Sequence, residues 1–313
     1  MVLHASQTPT DHLVGLGLSS EVFRYGPDHV LKLYRSPCDP AAVANEFRAA
    51  RQAHAYGLPV PEAVAIVERD GRTGIVFEAV QGRNLLGTHK HRPHALLAAL
   101  AHLAQVHCAI NARVGSDLPG QHETLRGQIG RARVSEAVKR AALRALQGLP
   151  DGDRLCHGDL HPENVICSPL GLRVVDWQKA TRGNPAGDVA RTALLLRHGR
   201  LDIGPLGRFL PLDAIRAAIA WFYVAQCCRT AGLKRSEVLA WRLPLLTARL
   251  CGQIADSEDA VRAEAERLAR AATERVPSRS FLRGRALASP STRTAPREER
   301  SPVPSSAQRG PCG

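Results

Sequence analysis

The sequence predicts an α+β chain in two lobes, a small β-rich lobe first and a larger helical lobe after it. Three observations carry this. Short alternating apolar segments, parted by Gly/Ser and Asp-Gly turns, fill residues 12 to 80 around a single helical stretch. From Gly82 onward apolar residues fall at helical spacing, as at Leu96, Leu97, Leu100, Leu103 and Val106. Two loop motifs then interrupt the helices between Arg154 and Gly187. The expected division is 1–80 for the first lobe, 81–274 for the second and 275–313 for a disordered basic tail.

Each element follows from local chemistry. Gly15-Leu-Gly17-Leu-Ser19-Ser20-Glu-Val22-Phe23 reads as a Gly/Ser turn entering a strand, and Val30 to Tyr34 alternates as a strand does. Asp39-Pro40 joins a good N-cap to proline at the first helical position, so a helix is expected from Ala41 to Tyr56, closed by Gly57. Val60 to Val67 and Gly74 to Glu78 supply further strands, turned at Asp70-Gly71. From Asp188 the expected helices run over 188–198, 212–231, 236–253 and 257–274. The last 39 residues hold six Pro and seven Ser with almost no aliphatic periodicity, which cannot offset the entropy of ordering.

Composition narrows the function. The 313 residues are 44% apolar, enough for a sizeable core. The longest apolar runs, such as Ala218 to Ala225, fall far short of the roughly 20 residues that span a bilayer, so no membrane partner is expected. No secretory signal is read near His4, Asp11 and His12, and eight sparse cysteines suit a reducing compartment; the expected location is cytoplasmic. Only five of the 42 basic residues are lysine, and the formal net charge is +13. Aromatics are 4%, poor material for stacking on bases, so a nucleic-acid partner is not expected. His89, His91 and His94 bring no carboxylate or thiol and read as a solvated loop. His107 reads as structural, and Cys227-Cys228 as core.

The most specific stretch is Cys156-His157-Gly158-Asp159-Leu160-His161-Pro162-Glu163-Asn164-Val165-Ile166. Twelve residues beyond Asn164, Asp176 ends the β-prone run Leu172 to Val175. Two acids and an amide so spaced match the needs of phosphoryl transfer. One carboxylate takes the acceptor proton, while the other and the amide oxygen hold Mg²⁺ against phosphates. In the first lobe, Lys32 lies mid-strand between Leu31 and Leu33, where an ammonium needs an anion, and Glu46 is the only acid on the following helix.

These motifs resemble the aminoglycoside phosphotransferase and choline kinase-like family, the small-molecule branch of the protein kinase-like fold. The family pattern H-G-D-(L/F)-H-P-x-N followed by (I/V)-D-(W/F) is intact here, and Asn184-Pro185-Ala186-Gly187-Asp188-Val189-Ala190 is similar to its next segment, with Asn184 in place of the commoner Asp. The resemblance runs from about Gly15 to Ala190. It implies an enzyme using ATP and Mg²⁺, a nucleotide-binding first lobe, and a second lobe carrying catalysis and the substrate. Asp159 would then be the base, Asn164 and Asp176 the metal ligands, and His157 and Asp188 braces of the loop. Lys32, paired with Glu46, would meet the α/β-phosphates. Ser19 and Ser20 would cap phosphate oxygens, though a plain hairpin turn explains the same residues. Phe77 to Gly82 resembles the interlobe hinge, with the Glu78 carbonyl and the Val80 N–H facing adenine.

The expected partner is a hydroxylated small molecule. The cluster Asp256, Glu258, Asp259, Glu264 and Glu266 fits either an amine ligand or a helix N-terminal dipole. A rival reading is a regulatory pseudokinase whose basic tail contacts nucleic acid. Retention of Lys32, Asp159, Asn164 and Asp176 together speaks against it.

Overall fold

The computed structural model describes residues 12–17, 19–89, 93–199, 211–252 and 257–274. The tail from 275, Asp256, His91 and the side chains of His89 and His94 lie outside the described residues.

Five antiparallel strands open the chain: β1 Leu13–Leu16, β2 Ser20–Tyr25, β3 His29–Tyr34, β4 Ala63–Arg69 and β5 Arg72–Glu78, ordered β1-β2-β3-β5-β4. Alternation along β3 sorts its side chains. Leu31 and Leu33 pack with Ala65, Val67 and Val76 on one face. Lys32 and Tyr34 turn to the other, toward the helix α1, Pro40–Ala55. That helix starts where its caps require. The Asp39 side chain accepts from the Ala41 N–H, Pro40 takes the first turn, and Gly57 turns the chain away in a left-handed conformation. Its inner face is Val43, Ala49, Ala50 and Ala53, with Asn45 and Glu46 buried among them.

The remainder is mostly helical. After the short β6, Arg83–Asn84, come α2 Leu85–His89, α3 Pro93–Asn111, α4 Gln121–Arg131 and α5 Glu136–Gln147. Four short strands follow. β7 Arg154–Cys156 pairs with β10 Thr181–Gly183, and β8 Val165–Ser168 with β9 Gly171–Val174 joins β6 in a three-stranded sheet. Then come α6 Pro185–His198, α7 Leu212–Ala231, α8 Arg235–Ala240, α9 Arg242–Arg249 and α10 Glu258–Glu274. None of the described helices is long and apolar enough to cross a membrane. The seven cysteines among the described residues are all free, with Cys227 buried as core and Cys228 partly so.

Two expected boundaries are corrected. The helix expected over 236–253 is two helices parted at Trp241 and ending at Arg249. Pro244 explains the break, because its ring crowds the carbonyl four residues back, at Ala240, and it brings no N–H. The helix expected from Asp188 begins at Pro185, because Asn184 caps the Ala186 N–H and Pro185 fills the first turn.

α3 runs through the centre of the helical lobe and packs on α7. Leu103 lies fully buried at its middle. Leu103→Ala should cost about 3 kcal/mol by the lost transfer energy and the cavity left behind. Urea denaturation should show a lower midpoint at unchanged m-value.

Candidate active site

β7 delivers the chain into a loop over residues 157–164 that ends in a 3-10 turn, Pro162–Asn164. The loop is held by its backbone. Asp188, near the start of α6 and 1% exposed, accepts from the His157 N–H at 2.8 Å and the Gly158 N–H at 2.9 Å. Its Oδ2 also accepts from His107 Nε2 at 2.8 Å and Asn111 Nδ2 at 3.1 Å, both from α3. Burial opposes this charge, but His107 and the other donors outweigh it and hold the carboxyl well below its usual range. Gly158 turns the loop at φ +75, where a Cβ would lie 2.1 Å from the Lys179 carbonyl oxygen, so no larger residue fits.

His157 is fully buried against Trp177, ring centroids 4.6 Å apart. The Asp159 N–H donates to its Nδ1 at 3.2 Å, so the ring proton lies on Nε2 and points to the Val175 carbonyl at 3.2 Å. Burial, stronger than the nearby carboxylates, lowers its pKa to about 4 and keeps the ring neutral. His157 thus links the Asp159 backbone to the strand end that precedes Asp176.

Asp159 carries the largely buried carboxylate of the loop. Lys179 Nζ donates to its Oδ2 at 2.8 Å. Burial opposes ionisation, but Lys179 and then Arg191 lower its pKa to about 2. Asn164 donates Nδ2 to the Asp159 carbonyl at 2.9 Å, and among the described residues nothing donates to its Oδ1.

Asp176 follows β9 with φ +65, a left-handed backbone that is strained for a residue other than glycine and persists only where the surroundings enforce it. Its Oδ1 accepts from Lys32 Nζ at 2.8 Å, while Oδ2 has no hydrogen-bond donor among the described residues. The Lys32 ammonium also lies 2.7 and 2.9 Å from the two oxygens of Glu46, and Tyr34 donates its hydroxyl to Glu46. Burial works against the Lys32 charge, but Glu46 and Asp176 outweigh it and raise its pKa. Asn45 adds a second link, donating to the carbonyls of Gln178 and Ala180 at 3.1 and 2.9 Å. The N-terminal sheet and the loops of the helical lobe therefore meet at Lys32 and Asn45.

Ser19 is exposed at the tip of the β1–β2 turn, where Gly17 N–H donates to the Ser20 carbonyl, whereas Ser20 is buried opposite Tyr34. Glu78 ends β5, and Val80 lies half-buried in the irregular segment after it. Glu46 is 1% exposed and among the described residues its carboxylate bonds to Lys32 and Tyr34, so it acts through Lys32. In the acidic stretch, Glu264 pairs with His198 at 3.1 Å and with Arg242, and Glu258 pairs with Arg133 and Arg262. Both carboxylates are therefore committed to ion pairs within the protein.

Sequence reasoning passed over Lys179, Asn45, Asn111 and Tyr34 and gave His107 no site role. One signal was present. In a chain with five lysines among 42 basic residues, Lys32 and Lys179 are the two among the described residues that face the site's carboxylates.

The model of a phosphotransferase enzyme family matches residues 12–222. A thermostable mutant of an aminoglycoside phosphotransferase, in ternary complex with AMP-PNP and hygromycin B, superposes with a TM-score of 0.57 at 20% identity, over 87% of this chain and 95% of that one. A choline/ethanolamine kinase family protein from Mesorhizobium loti gives 0.52 at 18% identity, over 86% and 90%. This likeness establishes the two-lobed kinase-like fold. Acyl-CoA dehydrogenase family member 10 of Mus musculus is 28% identical over 182 residues, 49% of this chain and 17% of that protein. Family member 11 of Pongo abelii is 28% identical over 179 residues, 49% of this chain and 23% of that protein. The chain thus matches less than a quarter of the length of these curated relatives.

The buried neutral His157 makes stability depend on pH. Its folded pKa of about 4 lies below the ordinary 6.5, so as pH falls the unfolded chain takes the proton first. The contribution is present in full above pH 6.5 and is lost as pH falls toward 4. Between pH 7 and 5 this amounts to about 2 kcal/mol. His157→Gln should lose correspondingly less stability over that interval, measured by urea denaturation at both pH values.

Proposed function

The chain belongs to the phosphotransferase enzyme family, and on that premise we propose that it transfers the γ-phosphoryl group of ATP to a hydroxyl of a small molecule. The observation that carries this reading is the ion-paired set Lys32, Glu46 and Asp176, drawn from three separate stretches and joined to the Asp159 loop through His157. A neighbour's complex with AMP-PNP and hygromycin B supports a nucleotide and a small molecule as the two ligands.

Among the described residues no cluster of three or more His, Cys, Asp or Glu could hold a metal alone. What remains suits Mg²⁺, which takes one or two protein oxygens and fills its octahedron with water and phosphate. Asp176 Oδ2 and Asn164 Oδ1, neither met by a donor among the described residues, would hold the ion. Bound there, Mg²⁺ would neutralise charge spreading over the phosphate oxygens during transfer. Lys32, fixed by Glu46, would meet the α/β-phosphates, and Ser19 would reach a phosphate from the turn. The Glu78 carbonyl and Val80 N–H would receive adenine. In this reading residues 1–80 form the nucleotide lobe and 81–274 the catalytic and substrate lobe.

Asp159 receives the acceptor hydroxyl. The hydroxyl oxygen bonds to the γ-phosphorus as the bridging P–O bond to ADP breaks, and the hydroxyl proton passes to the Asp159 carboxylate. With a pKa of about 2, Asp159 is a weak proton abstractor at neutral pH. It orients the hydroxyl and takes the proton late, when bond formation has made that proton acidic, as a loose transition state allows. His157 and Asp188 are positioning residues here, because both act through the loop backbone.

Asp159→Asn should lower kcat about 10²–10⁴-fold with nucleotide affinity nearly intact, measured as ATP turnover over a panel of hydroxylated compounds. Near-normal turnover would remove Asp159 from this role. Asp176→Asn keeps a side chain that tolerates the left-handed backbone, so its loss is one of charge. Calorimetry with and without Mg²⁺ should show the ion's enhancement of ATP binding abolished.

A further inference from the structure

Two arginines beside Asp159 have no part in the chemistry above. Arg191 lies on α6 one turn beyond Asp188 and lines a cleft of about 340 Å³ together with Gly158, Lys179 and, from α9, Leu245. Its Nε is buried without a hydrogen-bond partner. Arg249 follows Leu245 by one helical turn on α9, which places both on one face. Burial lowers the pKa of Arg249 first and the charge of Arg191 lowers it further, while Asp159 opposes; the three groups are within electrostatic reach of one another.

Neither guanidinium forms an ion pair among the described residues, whereas several arginines nearby do. Arg242 reaches Glu264, Arg133 and Arg262 reach Glu258, and Arg197 reaches Asp213. The one carboxylate lining the cleft, Asp39, is engaged in capping α1. Asp159 is already bonded to Lys179. Both guanidinium groups are half-buried, and Asp159, the carboxylate within their reach, is already held by Lys179, so the cleft carries an excess of positive charge that an entering anion would neutralise. A guanidinium presents donors in a fixed fork that matches a carboxylate or a phosphate.

We propose that the acceptor carries, besides its hydroxyl, an anionic group, a carboxylate or a phosphate monoester, which Arg191 and Arg249 hold in this cleft while the hydroxyl faces Asp159. This rests on the phosphotransferase reading and narrows it. A polycationic acceptor would meet like charge at the same place and is selected against.

The test uses the full chain, first saturated with Mg²⁺ and AMP-PNP so that the nucleotide's own phosphate positions are filled. Inorganic phosphate and acetate are then titrated in separately by calorimetry. At least one should bind, and Arg191→Gln and Arg249→Gln should each weaken it about tenfold or more, with Arg191→Lys between, because a charged hydrogen bond is lost. AMP-PNP affinity should be unchanged in all three variants. Anion binding that persists in both Gln variants, that vanishes once AMP-PNP is bound, or that is absent from the native chain would overturn the proposal. Turnover gives a second readout. A hydroxy acid or a sugar phosphate should be phosphorylated in preference to an aminoglycoside, and the reverse order would also overturn it. Failure to bind Mg²⁺ and AMP-PNP, seen before any anion is added, would overturn the phosphotransferase reading itself.

Discussion

Asp188 is 1% exposed, and a carboxylate so far from water must be met by donors on both oxygens or it will take a proton. Four donors meet it: the His107 ring and the Asn111 amide from α3, and the backbone N–H groups of His157 and Gly158. Each arrives from an element that other forces have already placed. α3 is held by packing on α7, α6 starts at the Asn184 cap, and the loop is turned by Gly158. Charge satisfaction at Asp188 thus converts the packing of two helices into the position of one loop. If Asp188 moved, the Asp159 backbone would lose its anchor through His157.

The opposite side of the site is built on a second charge arrangement, of different character. Lys32 pairs with a fully buried carboxylate on α1 and with a partly exposed one on the loop after β9. The first pairing is local to the N-terminal lobe. The second spans 144 residues of sequence and joins the lobes. Exposure of Asp176 limits what this pair adds to stability. Its consequence is placement, since the strained Asp176 backbone is held where one oxygen meets Lys32 and the other stays free. Rigid support on one oxygen and openness on the other is the arrangement a metal ligand needs.

Arg197 of α6 pairs with Asp213 of α7 and Arg242 of α9 with Glu264 of α10, while Arg262 pairs with Glu258 within α10. Arg191, which lines the cleft, and Arg249, one turn beyond Leu245, form no such pair among the described residues. The overall charge of +13 says nothing of this, because a net charge does not say which residues meet.

What the sequence determined by itself is whatever depends on neighbours in the chain. The alternation around Lys32, the Asp39-Pro40 start of α1, and the spacing of Asp159, Asn164 and Asp176 are local patterns, and the elements they specify are present. The Asn184-Pro185 start of α6 and the break before Pro244 were equally local and equally legible by the same capping and proline rules. Tertiary structure alone decided which charges meet. Lys179 against Asp159, and His107 and Asn111 against Asp188, join residues whose separation along the chain carries no periodic signal. The physical reason is that hydrophobic period and capping act over one or two helical turns. The cost of burying a charge arises only when helices close on it, so the partner that removes that cost is fixed by the packing of the whole lobe.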